Sequence, residues 1–172
     1  VVSVEPFFDN LIRIHKAARL ECVDSRITLV ANAVSSASNQ IKRLSRIEHH
    51  IGAQSLREHF NETVTSQEER QPTKQRDKYL VRTITLDDLV RVLPKRETGH
   101  PYTDAILKID IEGFEAHAFT HAALLFEQLT VHVIYMEFVH GRDQPLVVNR
   151  MIKFLKERNY SVYPSYARRR LE

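Results

Sequence analysis

Glycine is scarce in this sequence: Gly52, Gly99, Gly113 and Gly141 are the only four in 172 residues. No two stand close enough to form a Gly-x-Gly loop, which excludes a glycine-rich phosphate or nucleotide cradle built from residues 1–172. Cysteine is scarcer still. Cys22 is alone, so no internal disulfide can form and the redox compartment is undetermined. No apolar run approaches the roughly 18 residues that a membrane-spanning helix needs, and no signal peptide is visible. A strong charge of one sign is also missing. The net charge of +3 is too small to argue for nucleic acid. Much of the excess sits in the terminal "YARRRLE", which reads as a solvated tail, with contact to a membrane surface or polyanion as the alternative. The opening "VVSVEPFF" has neither Met nor a polar lead-in and reads as the interior of a domain. Upstream residues, including any targeting segment, are therefore expected.

What is present describes a globular chain: 42% hydrophobic and 27% charged residues, in a length that suits one domain with its own core. "VVSVEP" is a β-branched run ending at Glu5 and Pro6 and predicts a buried strand. Asp9 is placed to cap a helix from about Asn10 to Leu20, with Leu11, Ile12, Ile14 and Ala18 on one face. "RITLVANAVS" predicts a second strand, Ile27 to Val34, completing a strand–helix–strand unit. Residues 36–78 are polar, charged and aperiodic. They read as an insert with a short ordered piece near "IGAQSL" and an exposed loop over 61–78. Beyond it, "YLVRTITL" predicts a strand from Tyr79 to Leu86, and "DDLVRVLP" a short helix capped by Asp87. "AILKIDI" predicts a strand, and "EGFEAHAFTHAALLFEQL" a helix after Gly113. A strand from Val131 to Val139, an amphipathic helix in "LVVNRMIKFLKERN" and a final strand in "YSVYP" follow. Alternating strands and helices predict an α/β sandwich with a mainly parallel sheet.

In such sheets ligands lie at the carboxyl ends of the strands, near a topological switch point. That rule selects Glu5, the segment from Asn32 to Ser35, Asp110 to Gly113, and Glu137 to His140. A carboxylate at Glu5 can accept hydrogen bonds from vicinal ribose hydroxyls; a solvated strand-end acid is the plainer reading. Strand alternation puts Asp110 and Glu112 on one side of Ile111, and close carboxylates attract a cation or a ligand's ammonium or hydroxyl groups. Glu112 and Glu115 also fit a helix start, where negative charge complements the dipole. Asp110 belongs to the strand end and has no such explanation. Glu137 and His140 are placed to take a proton from an acceptor hydroxyl. His117 and His121 stand four apart, a spacing metal ligands use, but no third ligand accompanies them and no metal site is expected. His49, His50 and His59 are expected to face solvent. The cationic residues of the insert lack interleaved aromatics, so no nucleic-acid surface is expected.

"ILKIDIEGFEAHAF" resembles the signature after the fourth strand of FkbM-type methyltransferases: apolar, Lys, apolar, Asp, apolar, Glu, Gly, aromatic, Glu. Lys108, Asp110, Glu112, Gly113, Phe114 and Glu115 match it throughout. "VVSVEPFFDNL", "ITLVANAVS" and "TITLDDLV" resemble earlier stretches of the family in the expected order, and "HVIYMEFV" and "NYSVYP" later ones. The resemblance covers nearly all of the chain. It implies a class I methyltransferase-like (Rossmann-like) fold, a three-layer sandwich, and S-adenosylmethionine as methyl donor. It implies O-methylation of a hydroxyl acceptor, a small molecule or a glycan-like group. Glu5 would take the donor's ribose, Asn32, Ala33 and Val34 would lie near its adenine, and Asp110 would face its methionyl end or the acceptor. Asp110, Glu137 and His140 are then the candidate bases. The family's first strand and glycine-rich loop do not occur in residues 1–172, so the domain reads as N-terminally truncated. Residues 1–172 alone are expected to bind the donor weakly or not at all. Two rival readings stand beside the enzyme: a non-catalytic methyltransferase-like remnant kept for protein contacts, and a nucleotide-sugar enzyme of the α/β class. The ordered matches argue against the second.

Overall fold

A computed structural model of the chain describes residues 1–45, 55–56, 77–137 and 144–163. The first unit is β1 (Val2–Val4), α1 (Phe8–Leu20) and β2 (Thr28–Val30), with β1 and β2 parallel and Val2 opposite Thr28. Parallel neighbours need a crossover, and α1 supplies it. The helix buries Leu11 and Ala18 and exposes Arg13, Lys16 and Arg19. It begins earlier than expected, with Phe7 in the capping position and no side-chain cap. Asp9 sits in the first turn, where its charge suits the dipole, and its carboxylate accepts a hydrogen bond from Lys78 Nζ at 2.7 Å. At the other end the Val23 and Cys22 amides donate to the Ala18 and Arg19 carbonyls, with Cys22 at φ 55°. This is a Schellman ending with cysteine in the left-handed position that glycine usually takes.

The strand expected over Ile27–Val34 is two strands with different partners. β2 ends at Val30; β3 (Ala33–Val34) pairs parallel with β5 (Leu80–Ile84). Between them Asn32 donates its side-chain amide to the Arg82 carbonyl at 3.1 Å, joining the turn to β5 where the chain changes partners. The insert also contains a strand that its aperiodic sequence did not announce, β4 (Ile41–Arg43), antiparallel to β5. Its ordered piece includes Ser55 and Leu56, and Leu56 bridges to Leu44. Residues 46–54 and 57–76, which include His49, His50, His59 and most of the expected loop, lie outside the described residues.

β5 stops at Ile84 because Thr85 opens a capping box. The Thr85 amide donates to Asp88 Oδ2 at 2.9 Å and the Asp88 amide returns to Thr85 Oγ1 at 3.3 Å. The tight helical turn Asp87–Val92 follows. Asp87, expected to cap that turn, instead accepts the Leu125 amide at 3.0 Å and so caps α3 (Ala123–Gln128) from outside. The helix expected as one run after Gly113 is consequently broken. α2 (Glu115–Ala118) passes through a tight turn at Phe119–His121, and α3 restarts after Ala122.

β6 (Asp104–Ile109) and β7 (Thr130–Met136) are parallel, ending with Ile109 opposite Met136 and with an irregularity after Ala105 that leaves His132 extra. Leu107, Ile109, Val131, Ile134 and Met136 face the main core. There they meet Ala116 and Ala118 of α2, Leu125 of α3 and Met151 of α4 (Pro145–Lys156). Phe119, Phe126, Phe154 and Tyr160 join this core, with Phe126 edge to face on Phe154 and Tyr160 and Phe119 tilted against Phe126 and Phe154, centroids 5.2–6.2 Å apart. Ile106, Lys108, Val133 and Tyr135 point the other way and are exposed, so the described residues supply two layers around this pair. Tyr160 follows α4, and its hydroxyl donates to the Val131 carbonyl. The final strand expected at "YSVYP" does not form over Tyr160–Tyr163, where Val162 and Tyr163 are exposed; Pro164 is outside the described residues. So is the end of the strand expected to reach Val139. No helix among the described residues is long and apolar enough to cross a membrane.

Candidate functional site

A smaller core lies below the strand ends: Phe7, Ala33, Leu44, Leu56, Val81 and Phe114, with Ile111 packed against both cores. It joins three segments far apart in sequence: the turn after β1, β3, and the loop after β6. Each carries residues the sequence had marked.

Glu5 follows β1. Its amide donates to the Val30 carbonyl at 3.0 Å, extending the β1–β2 ladder by one bond. Its carboxylate turns back, and Oε1 accepts the Phe7 amide at 2.8 Å, which fixes its direction where α1 begins. Asn32 is half-buried, its side-chain amide donating to the Arg82 carbonyl. Ala33 and Val34 are buried, at 3% and 8% exposure, Ala33 in the smaller core and Val34 in the main one. Their contribution to any ligand is therefore through the backbone. Ser35, next in the chain, is 1% exposed and its hydroxyl has no hydrogen-bond partner among the described residues, an uncommon condition for a buried polar atom.

Asp110 lies one residue past β6. Its Oδ2 accepts a hydrogen bond from Lys108 Nζ at 2.9 Å, and both side chains are well exposed. Glu137 follows β7, its amide donating to the Ile109 carbonyl at 3.3 Å. Because Ile109 faces Met136, Asp110 and Glu137 flank the same end of the parallel pair. His140 lies outside the described residues.

The expectation that Asp110 and Glu112 share a side by strand alternation is not met. Extended backbone ends at Ile109, and Glu112 and Gly113 take φ values of 54° and 97°. The left-handed conformation costs a non-glycine residue roughly 1–2 kcal/mol, so other contacts must hold Glu112 there. Glu115 is one of them. It is 2% exposed, and its Oε1 accepts the amides of Ile111 and Gly113, each at 3.1 Å. Its charge serves the turn before its helix, by direct hydrogen bonds to the backbone. Ser55 of the insert is another, its hydroxyl donating to the Glu112 carbonyl at 2.7 Å. Sequence reading missed Ser55, which lies 57 positions away in a polar stretch. For Glu115 a signal existed, an acid two residues after a glycine turn, but helix-dipole stabilisation accounted for it equally well. Phe114, buried between these contacts, has Lys42 Nζ 5.8 Å from its ring centre and the tilted His117 ring at 5.3 Å. His117 Nε2 is hydrogen-bonded to Gln144 Oε1, while His121 is exposed. Among the described residues no three His, Cys, Asp or Glu side chains are grouped to hold a metal.

Parallel strand pairs joined by helical crossovers, with acids after both β1 and β6, make this a mixed α/β domain, consistent with a methyltransferase-like fold. Residues 1–162 match the family model described as the methyltransferase FkbM domain, and the chain belongs to that family. No match was found among curated proteins or among solved structures.

Proposed function

We propose that this domain carries out S-adenosylmethionine-dependent O-methylation of a hydroxyl acceptor, a small molecule or a glycan-like group. The observation that carries the reading is the convergence of the Glu5 turn, β3 and the Asp110 loop on one small core. The donor fits this acidic rim. The oriented Glu5 carboxylate suits vicinal ribose hydroxyls, and the Ser35 hydroxyl beside Val34, without a partner among the described residues, suits a polar group on the adenine side. When bound, S-adenosylmethionine supplies an electrophilic sulfonium methyl, which leaves the protein mainly positioning and exclusion of water to provide. Glu5 and the backbone of Asn32, Ala33 and Val34 hold the donor. Asp110 orients the acceptor hydroxyl and takes its proton, with Glu137, just after β7, and His140 as the further candidate bases. Lys108, 2.9 Å from Asp110, is placed to stabilise its carboxylate. We also propose a Rossmann-like, three-layer arrangement completed by a further parallel strand between β1 and β6. Each of these strands has one pairing neighbour among the described residues, and both contribute to the main core.

The test is formation of S-adenosylhomocysteine by the full gene product offered a panel of hydroxylated acceptors. Acceptor-dependent product supports the reading; donor binding without turnover on any acceptor contradicts it. The second reading, a non-catalytic domain that does not bind the donor, draws on the absence of a glycine-rich loop from residues 1–172.

A further inference from the structure

We propose that Ser55 is a positioning residue that clamps the acidic loop 110–115 from the insert; its bearing on turnover rests on the methyltransferase reading above. Three observations converge on it. Its hydroxyl lies 2.7 Å from the Glu112 carbonyl and 3.4 Å from that of Leu56; with one hydrogen to donate, the shorter contact takes it. The acceptor belongs to the residue forced to φ 54°, so the bond holds the loop where its backbone is least favourable. Ser55 is itself held. Its amide donates to Ser45 Oγ at 3.0 Å, and its carbonyl accepts the Ser45 amide at 2.8 Å. Leu56 beside it is buried with Leu44 and Phe114 in the smaller core. The loop is thus gripped by Glu115 within its own segment and by Ser55 from outside it. Ser55 thereby fixes where Asp110, two residues before Glu112, stands.

The experiment compares the full gene product with Ser55→Ala, Ser55→Thr and Leu56→Ala by hydrogen exchange, thermal unfolding and steady-state kinetics. In Ser55→Ala, amide exchange over residues 110–115 is expected to rise by about tenfold, as for loss of one hydrogen bond, with little change in melting temperature. Turnover falls while donor KM stays nearly constant, and Ser55→Thr restores both exchange and turnover. Leu56→Ala lowers the melting temperature and marks what a merely structural loss looks like. Unchanged exchange over 110–115 in Ser55→Ala overturns the clamp, whatever the activity. Raised exchange with unchanged turnover overturns its role in positioning. If the parent protein transfers no methyl group, the methyltransferase reading fails, and the exchange measurement still decides the clamp.

Discussion

Glu115 does its work underneath the site, bracing from below the loop on which Asp110 stands. Removing its buried carboxylate leaves the half-buried Ile111 and Gly113 amides without their partner. Glu115→Ala is expected to cost about 1–3 kcal/mol by denaturant titration, less than two fully buried donors left unpaired would cost. A cost below about 0.5 kcal/mol would show that the brace is not needed. Asp110 is exposed and should behave oppositely. Asp110→Asn leaves the melting temperature unchanged and lowers turnover by about 100-fold or more if it is the base; parent-like turnover removes it from the mechanism. Asp88 gives a pH dependence. Burial raises its carboxyl, but hydrogen bonds from Ser38, the Thr85 amide and the Thr85 hydroxyl, with Arg91 nearby, hold it below the ordinary value of 3.8. A lowered folded-state value means that the stabilisation is complete above the unfolded-state value and is lost as pH falls through the folded one. Asp88→Asn should therefore be less stable than the parent at neutral pH, and the gap should close below about pH 3.8. A gap that stays constant down to pH 2 would contradict this assignment.

At the scale of elements, scarcity of glycine leaves a mark. α1 ends on Cys22 and α4 is followed by Asn159, both left-handed, at φ 55° and 64°. Asparagine tolerates that region; cysteine does so at a cost. Cys22 is exposed, so Cys22→Gly is expected to raise stability by roughly 0.5–1 kcal/mol, and a lower melting temperature would refute the strain. The same scale shows what the sequence could express. β1, β5, β6 and β7 were legible from their apolar and β-branched runs, and α1 and α4 from apolar spacing. What escaped were decisions made by distant partners. Arg82 accepts Asn32 where β2 gives way to β3, Asp87 caps α3 in place of its own turn, and Thr85 with Asp88 stops β5 early. The site divides in the same way. Glu5, Asp110 and Glu137 stand at strand ends as expected, because a strand end is a local pattern. Ser55 was missed, because its partner lies far along the chain, and Glu112 was misplaced because alternation fails once the backbone turns left-handed.

For the whole molecule, the chain belongs to the FkbM methyltransferase family, and the turn after β1 and the loop after β6 both contribute to the smaller core, on which the proposed donor site is built. The central claim is that this site holds a methyl donor through Glu5. Calorimetric titration of S-adenosylmethionine into the full gene product and its Glu5→Ala variant tests it most directly. The account predicts saturable, micromolar binding by the parent and at least about tenfold weaker binding by the variant, as expected for loss of charge-assisted hydrogen bonds. A folded parent that binds no donor, or a variant that binds as tightly as the parent, would contradict it.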